Sequence, residues 1–309
     1  MLKKYFYHEE WNIGIAKKSS DLTLDTLTNI CQDDKIVWLA VRYHFQADPF
    51  LFEYQGKLYV FYEALNHSWV KGHLRCRVLD SNLHELEDFA LDDINALGSH
   101  LSFPQVWQTN GEIFLMPESH EKNAIYIFKA IDFPKKWQVV QTIDNGKYID
   151  SVVFENNNQK WLVTSLHKTA ERKVFGYQNE AWKAIEIEYI SDDNHSRLGG
   201  GAFRLVLDEQ VYLPVQENHL KEYGKSLFIK ALHINSNSQP LTWQELTQTQ
   251  IQSQSVIYPD GLHTLNISEN YIIIDAKRWV FQPFNFFVRK YRQIKQAKYH
   301  ASLKLTNQV

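Results

Sequence analysis

Carboxylates recur in this chain at places where a fold could bring them together. Asp48, Asp150 and Asp260 stand at the heads of short apolar segments, as do Ser102 and Gly201. Glu63, Glu118 and Asp275 close the segments that follow, as do Ser165 and Gln216. Carboxyl groups crowded together raise one another's pKa values. Held at different protonation states, they supply the base or nucleophile and the acid for chemistry on sugars. Asp48, Glu118 and Asp150 are the candidates for that chemistry, and Pro49 fixes the backbone beside the first of them. Arg42, Glu63, Ser102, Arg197, Gln216, Asp260 and His263 are candidates for holding substrate, with His195 in the same stretch as Arg197. Arg and Gln present several donors to hydroxyls, carboxylates or phosphates. Other chemistries lack their patterns. Gly-x-Ser-x-Gly, His-Glu-x-x-His and Gly-x-Gly-x-x-Gly are absent, and Gly199-Gly200-Gly201 lacks the Lys-Ser/Thr and the helix of a phosphate loop. His67 and His73 could touch a metal, but no metal site and no cofactor are expected.

The elements that must position these residues form a repeat. A polar or Gly/Pro start, an apolar strand, a turn-former and a second apolar strand recur five times. The copies run through Asp48–Glu63, Ser102–Glu118, Ile149–Ser165, Gly200–Gln216 and Pro259–Asp275. Their starts are roughly 50 residues apart, the period of a β-propeller with about four strands per blade. The expectation is an all-β chain: a five-bladed β-propeller over residues 1–283, followed by a short basic C-terminal helix over 284–309. Trp11–Ala16 reads as an N-terminal strand that closes the last blade. In a hairpin the start of the first strand and the end of the second lie at the same end. All five starts and ends should therefore gather at one mouth of the channel, and the turns Gln55-Gly56, Asn110-Gly111 and Asn157-Asn158 should lie at the other.

Composition agrees with one large domain. The chain has 309 residues, 44% hydrophobic and 14% aromatic, which suffices for a substantial core. Cys31 and Cys76 show no metal or redox spacing and read as free thiols. No apolar run of signal-peptide or membrane-span length is seen, so a cytoplasmic protein is expected. Between Lys277 and Val309 there are eight Lys or Arg and no acid, with Phe284, Phe287, Tyr291, Ile294 and Lys298 at helix-face spacing. Such a helix can lie on an anionic membrane surface, here the inner face, or pack on the propeller by its aromatics. Nucleic acid is not an expected partner, because the rest of the chain is acidic and carries no recognition motif.

Short motifs then point to a family. They are Asp48-Pro49-Phe50, His100–Pro104, Met116-Pro117-Glu118-Ser119, Phe133-Pro134 with Trp137, Asp150, Arg197–Gly200, Leu213–Gln216 with Tyr223-Gly224, and Gly261–Thr264. In this order they resemble the propeller domain at the N-terminus of plant glucosamine inositolphosphorylceramide transferases and of bacterial surface-polysaccharide proteins, some joined to formyltransferase-like domains. The resemblance covers residues 40 to 275. More remotely, the layout is similar to five-bladed glycoside hydrolases of families 43, 32 and 68. That likeness implies Asp48 as base or nucleophile and Asp150 as the supporting Asp. Those families carry the acid Glu in a later blade, where this chain has Gln216, so Glu118 is the substitute. Three functions follow as expectations. One is glycosyl transfer in cytoplasmic surface-polysaccharide or glycoconjugate synthesis. The second is an intracellular glycosidase of the family 43/32 type, and the third is a non-catalytic glycan-binding propeller.

Overall fold

The computed structural model describes residues 3–67, 69–192, 197–205, 208–217 and 223–306; His195 lies outside them. The chain is a succession of antiparallel meanders with a propeller-like arrangement. The first unit contains the strands Phe45–Tyr54, Lys57–Leu65, His73–Leu79 and Glu85–Ala90, and the second Ser102–Thr109, Glu112–Glu118, Ala124–Asp132 and Lys136–Asp144. The third contains Tyr148–Asn156, Gln159–Leu166, Arg172–Gln178 and Ala181–Ile185. The fourth has Phe203–Leu205, Asp208–Gln216, Ser226–Asn235 and Leu241–Gln252, with Ile187–Ser191 added in parallel to its last strand. The fifth has only Gly261–Ile267 and Tyr271–Phe281 of its own. Its third strand is Tyr7–Lys17, paired antiparallel with Tyr271–Phe281 along its whole length.

The strands form four hydrogen-bonded sheets rather than five. The first and fifth units share one eight-stranded sheet, because Tyr7–Lys17 also meets Phe45–Tyr54 through a parallel bridge, Trp11 opposite Phe45. Second strands such as Lys57–Leu65 are buried on both faces, since neighbouring units cover them, and apart from Lys57 and Glu63 this one is apolar or aromatic. Fourth strands such as Glu85–Ala90 are more exposed and more polar.

Turn chemistry sets the hairpin registers. Gln55-Gly56, Asn110-Gly111 and Asn157-Asn158 all have positive φ at both central residues. That is the I′ geometry, whose twist matches that of the flanking strands. The resulting registers set Ala47 opposite Glu63, Ser102 opposite Glu118, and Ile149 opposite Ser165. Large side chains fill the space between units. Trp243, Phe61, Leu74, Phe103 and Leu115 are wholly buried in one cluster, each contributing on the order of 2 kcal/mol by leaving water. The helix Asn285–Thr306 follows the last strand.

Candidate active site

The residues at the mouth are aimed by a repeated irregularity. In the first three units the register slips near the head of the first strand, between Ala47 and Phe50, Ser102 and Gln105, and Ile149 and Val152. The second residue of each bulge, Asp48, Phe103 or Asp150, has φ of 47 to 51°, the left-handed region that non-glycine residues rarely enter. Such strain persists where the surroundings enforce it. Here the enforcing groups are the strand-end acids. Asp275 accepts hydrogen bonds from the backbone N–H of Asp48 (2.8 Å) and of Thr264 (2.8 Å), and Glu118 accepts one from the N–H of Asp150 (3.2 Å). At the bulges of the first and third units, an acid ending the second strand of the preceding unit therefore holds the backbone.

The side chains form two linked groups. In the first, His263 is fully buried between two carboxylates, with Nδ1 2.7 Å from Asp275 Oδ1 and Nε2 3.2 Å from Asp48 Oδ1. The second contact is close but poorly aligned for a hydrogen bond. Thr264 Oγ1 donates to Asp48 Oδ1 at 3.0 Å, and the Trp11 ring packs on His263 at 4.1 Å between centroids. Burial alone would lower the His263 pKa, but Asp275 and Asp48 raise it to about 10. Asp48, His263 and Asp275 also offer ligand atoms within 4.8 Å of one another and could in principle hold a cation. A metal there would require a neutral His263, whereas the two carboxylates favour the imidazolium.

In the second group, Arg197 grips Asp150 with two bonds, Nε to Oδ2 at 2.6 Å and a terminal nitrogen to Oδ1 at 2.8 Å, and reaches Glu118 Oε2 at 3.4 Å. His120 Nδ1 lies 2.7 Å from Glu118 Oε1. Burial would raise Glu118, but the His120 bond and the Arg197 charge hold it down at about 2. Burial raises Asp150 to about 7 against the pull of Arg197, and the charges of Glu118 and Asp48 add to the rise. Glu63 differs from both. His100 Nε2 lies 3.6 Å from it, but burial lowers the pKa of that imidazole, so it brings no full counter-charge at neutral pH. Burial, with Asp48 and Glu118 adding like charge, pushes it well above the ordinary carboxylate range. Gly72 makes room for this side chain, since a Cβ on Gly72 would lie 2.0 Å from Glu63 Oε1.

Asp48, Glu63, Glu118, Asp150, Arg197 and His263 thus meet at one place, and Gln216 adjoins them. Gln216 is buried, its Nε2 donates to the Leu198 carbonyl and its N–H to the Arg197 carbonyl, so it positions the arginine segment. Ser102 is buried opposite Glu118 in the ladder. Two candidates are placed otherwise. Arg42 pairs with Glu85 and lies 4.0 Å from Asp88, because these acids on the outer strand of its unit capture it. Asp260 is spent on the ladder, accepting from the Trp279 N–H at 2.9 Å. His100, His120 and Trp11 are additions. His120 stood two residues after a strand-end acid, and that spacing was the available signal.

The all-β, propeller-like fold of this chain is shared with a solved glycan-cleaving enzyme. An exo-β-1,3-galactanase from Clostridium thermocellum superposes with a TM-score of 0.53 at 7% identity, over 86% of this chain and 62% of that one. Residues 30–239 match the family described as glucosamine inositolphosphorylceramide transferase 1, N-terminal, and the chain belongs to that family. Glucosamine inositolphosphorylceramide transferase 1 of Arabidopsis thaliana is 26% identical over 258 residues, 74% of this chain and 33% of that protein. The protein of the same name from Oryza sativa subsp. japonica is 28% identical over 187 residues, 56% of this chain and 24% of the rice protein. The chain therefore spans a third or less of these relatives.

Proposed function

We propose that this domain acts on glycans by glycosyl transfer in surface-polysaccharide or glycoconjugate synthesis, at the mouth of a five-bladed ring in which the eight-stranded sheet counts as two blades. The observation that carries the proposal is the divided protonation of neighbouring carboxyls. Glu118 is held ionised while Glu63 is pushed toward the neutral acid, the pairing that acid/base chemistry at a sugar requires. Asp48 serves as base or nucleophile, kept in place by Thr264 and His263. Asp150 and Arg197 set the charge around it. The acid role moves from Glu118 to Glu63, because a carboxyl with a pKa of about 2 has no proton to give at neutral pH. The galactanase-like fold favours hydrolysis with the same residues as a second reading, with water as the acceptor.

The same reading places the domain in the cytoplasm at the inner membrane face. The free, buried thiols of Cys31 and Cys76 agree with a reducing compartment. Phe284, Phe287, Tyr291 and Ile294 are between 54% and 69% exposed, so this face of the helix is not spent on packing against the propeller. Among the described residues no helix is long and apolar enough to cross a membrane, and the contact proposed is peripheral.

The test is to screen nucleotide-activated and oligosaccharide donors with the full chain by mass spectrometry, beside Asp48→Asn. Turnover by the parent and its loss, by about 10²- to 10⁴-fold, in a folded Asp48→Asn would support the assignment. Saturable glycan binding with no turnover of any donor would leave the binding-module reading in its place.

A further inference from the structure

The C-terminal helix Asn285–Thr306 crosses the mouth-side strand ends of the first unit. At its start the Asn285 side chain donates to the Tyr7 carbonyl at 2.5 Å. About four turns later the Tyr299 hydroxyl donates to Glu121 Oε2 of the second unit at 2.7 Å. Between these ties Arg292 comes close enough to Glu63 for each charge to act on the other. The acids of the mouth are little exposed: the side chains of Asp48, Glu63, Glu118 and Asp150 are between 2% and 9% accessible. The helix nevertheless fits poorly on what it covers. A cavity of about 430 Å³ remains beneath it, lined by His8, His44 and His67 from the sheet side and by Val288, Arg292 and Gln296 from the helix. His44 and His67 stack with centroids 3.8 Å apart, and His8 meets His67 edge-on at 4.6 Å. Burial, then the charges of His67 and Arg292, lowers the pKa of His44 to about 3, so this imidazole gives Arg292 no counter-charge. His44 Nδ1 and Arg292 Nε are buried with no hydrogen-bond partner among the described residues. Interiors are close-packed and their polar groups paired, so an interface that lacks both costs little to open. The outer face suits a different surface. Phe287, Tyr291 and Ile294 are between 54% and 67% exposed, and the helix carries six Lys or Arg and no acid.

We propose that this helix is a strap over the mouth, latched shut by Tyr299 on Glu121 and swung open about Asn285 when an anionic membrane surface takes up its aromatic and basic face. Latched, it covers the Glu63 side of the mouth, and the Arg292 charge favours the ionised form of Glu63, which has no proton to give. Released, it uncovers the strand ends beneath and takes that charge away, so Glu63 keeps its proton more firmly. The anionic surface offers Arg292 the partners that the cavity withholds, while the aromatic side chains leave water among the lipid headgroups. The inference rests on the reading of the mouth as a glycosyl-transfer site, and adds control of that site by the membrane.

Thiol labelling of the full chain tests it. Cys31 and Cys76 are buried, so His67→Cys places the one accessible thiol among the described residues on the floor of the cavity. The variant is treated with a water-soluble maleimide alone, with phosphatidylcholine vesicles and with phosphatidylglycerol vesicles, beside the parent chain as background. Labelling at least tenfold faster with phosphatidylglycerol, and unchanged with phosphatidylcholine, is the expected result. Adding Tyr299→Phe should undo the latch and speed labelling at least threefold without vesicles. Adding Phe287→Ser/Tyr291→Ser should abolish the response to phosphatidylglycerol. Should His67→Cys fail to fold, Gln296→Cys on the helix side of the same cavity reads the same opening. Unchanged or slower labelling with phosphatidylglycerol would overturn the proposal, whether or not the protein floats with the vesicles. So would labelling that Tyr299→Phe leaves as slow as before. Labelling is read without turnover, so a failed donor screen and a failed strap are separable.

Discussion

Protonation differs among acids that are chemically alike and spatially close. Glu63 and Glu118 end equivalent hairpins, yet one is pushed up and the other down, because Arg197 and His120 attend only Glu118. Glu63→Gln keeps the size of the side chain and its neutral form. It should cut turnover about 10²- to 10⁴-fold. It should also raise thermal stability above neutral pH. A carboxyl whose folded pKa is raised costs stability as pH climbs past its unfolded value, and the amide removes that cost. Lower stability of Glu63→Gln at pH 8 would refute the protonation assignment. His263 has the opposite sign. Its folded pKa of about 10 lies above the ordinary value of 6.5, so its contribution is complete below pH 6.5 and is lost as pH rises toward 10. Melting temperatures measured across that interval should decline, and His263→Gln should flatten the decline. The positions of Asp48, Glu118 and Asp150 at hairpin ends were legible in the sequence, since they follow from turn placement alone. The division of protonation between Glu63 and Glu118 was not, because it depends on Arg197 arriving from another segment and on His120 folding back onto Glu118. Arg42 misled for the same reason: closeness to Asp48 along the chain did not register the competing Glu85 and Asp88.

Among the elements, the hairpins were the most readable part of the chain, and the bulges the least. Asn-Gly and Asn-Asn pairs announce their turns, but nothing in Ser102-Phe103-Pro104 announces a phenylalanine at φ 47°. Phe103 is wholly buried against Phe50 of the first unit, and local preference alone does not favour that conformation. The units are also tied by buried charge. Arg172 of the third unit donates to both oxygens of Glu245 in the fourth, at 2.9 and 3.0 Å, and Trp243 Nε1 donates to the same carboxylate at 2.9 Å. Both charged side chains are almost wholly inaccessible. Arg172→Met should cost about 3–5 kcal/mol by leaving Glu245 uncompensated, measurable by urea denaturation. A loss under 1 kcal/mol would mean that Trp243 and the Tyr189 hydroxyl, which also donates to Glu245 at 3.1 Å, suffice to hold the carboxylate.

At the scale of the molecule, the basic helix gives the domain two unlike sides. Its inner side covers the polar cavity, and its outer side presents Phe284, Phe287, Tyr291 and Ile294 among cations. Each Lys or Arg near an anionic leaflet contributes roughly 1 kcal/mol, so several should hold the domain weakly and with strong salt dependence. The protein should float with anionic vesicles at low salt and leave them at high salt, whereas Phe287→Ser/Tyr291→Ser should remain in the soluble fraction. Flotation identical in both, or in neither, would assign the aromatic face another role. Helix spacing made this face legible in advance. Its docking side was not, because Asn285, Arg292 and Tyr299 acquire their meaning only from the Tyr7 carbonyl, Glu63 with the histidine cluster, and Glu121.

The strand Tyr7–Lys17 carries a consequence for how the protein comes into being. It is synthesised well before its hydrogen-bonding partner, Tyr271–Phe281, with the first four units lying between them. Until then its partners are the short strand Val37–Trp38 and the single bridge to Phe45, which leave most of its length unpaired. The sheet that unites the first and fifth units can form only after the rest has emerged. Pairings so distant in sequence form slowly, because the loop entropy is spent before any contact repays it. The interval exposes an unpaired strand carrying Trp11, Ile13 and Ile15, all wholly buried at the end. Completion of this sheet therefore waits on two segments far apart in the sequence finding each other. That late event also brings the Trp11 ring down onto His263, so the acid mouth acquires its full lining only when folding is complete.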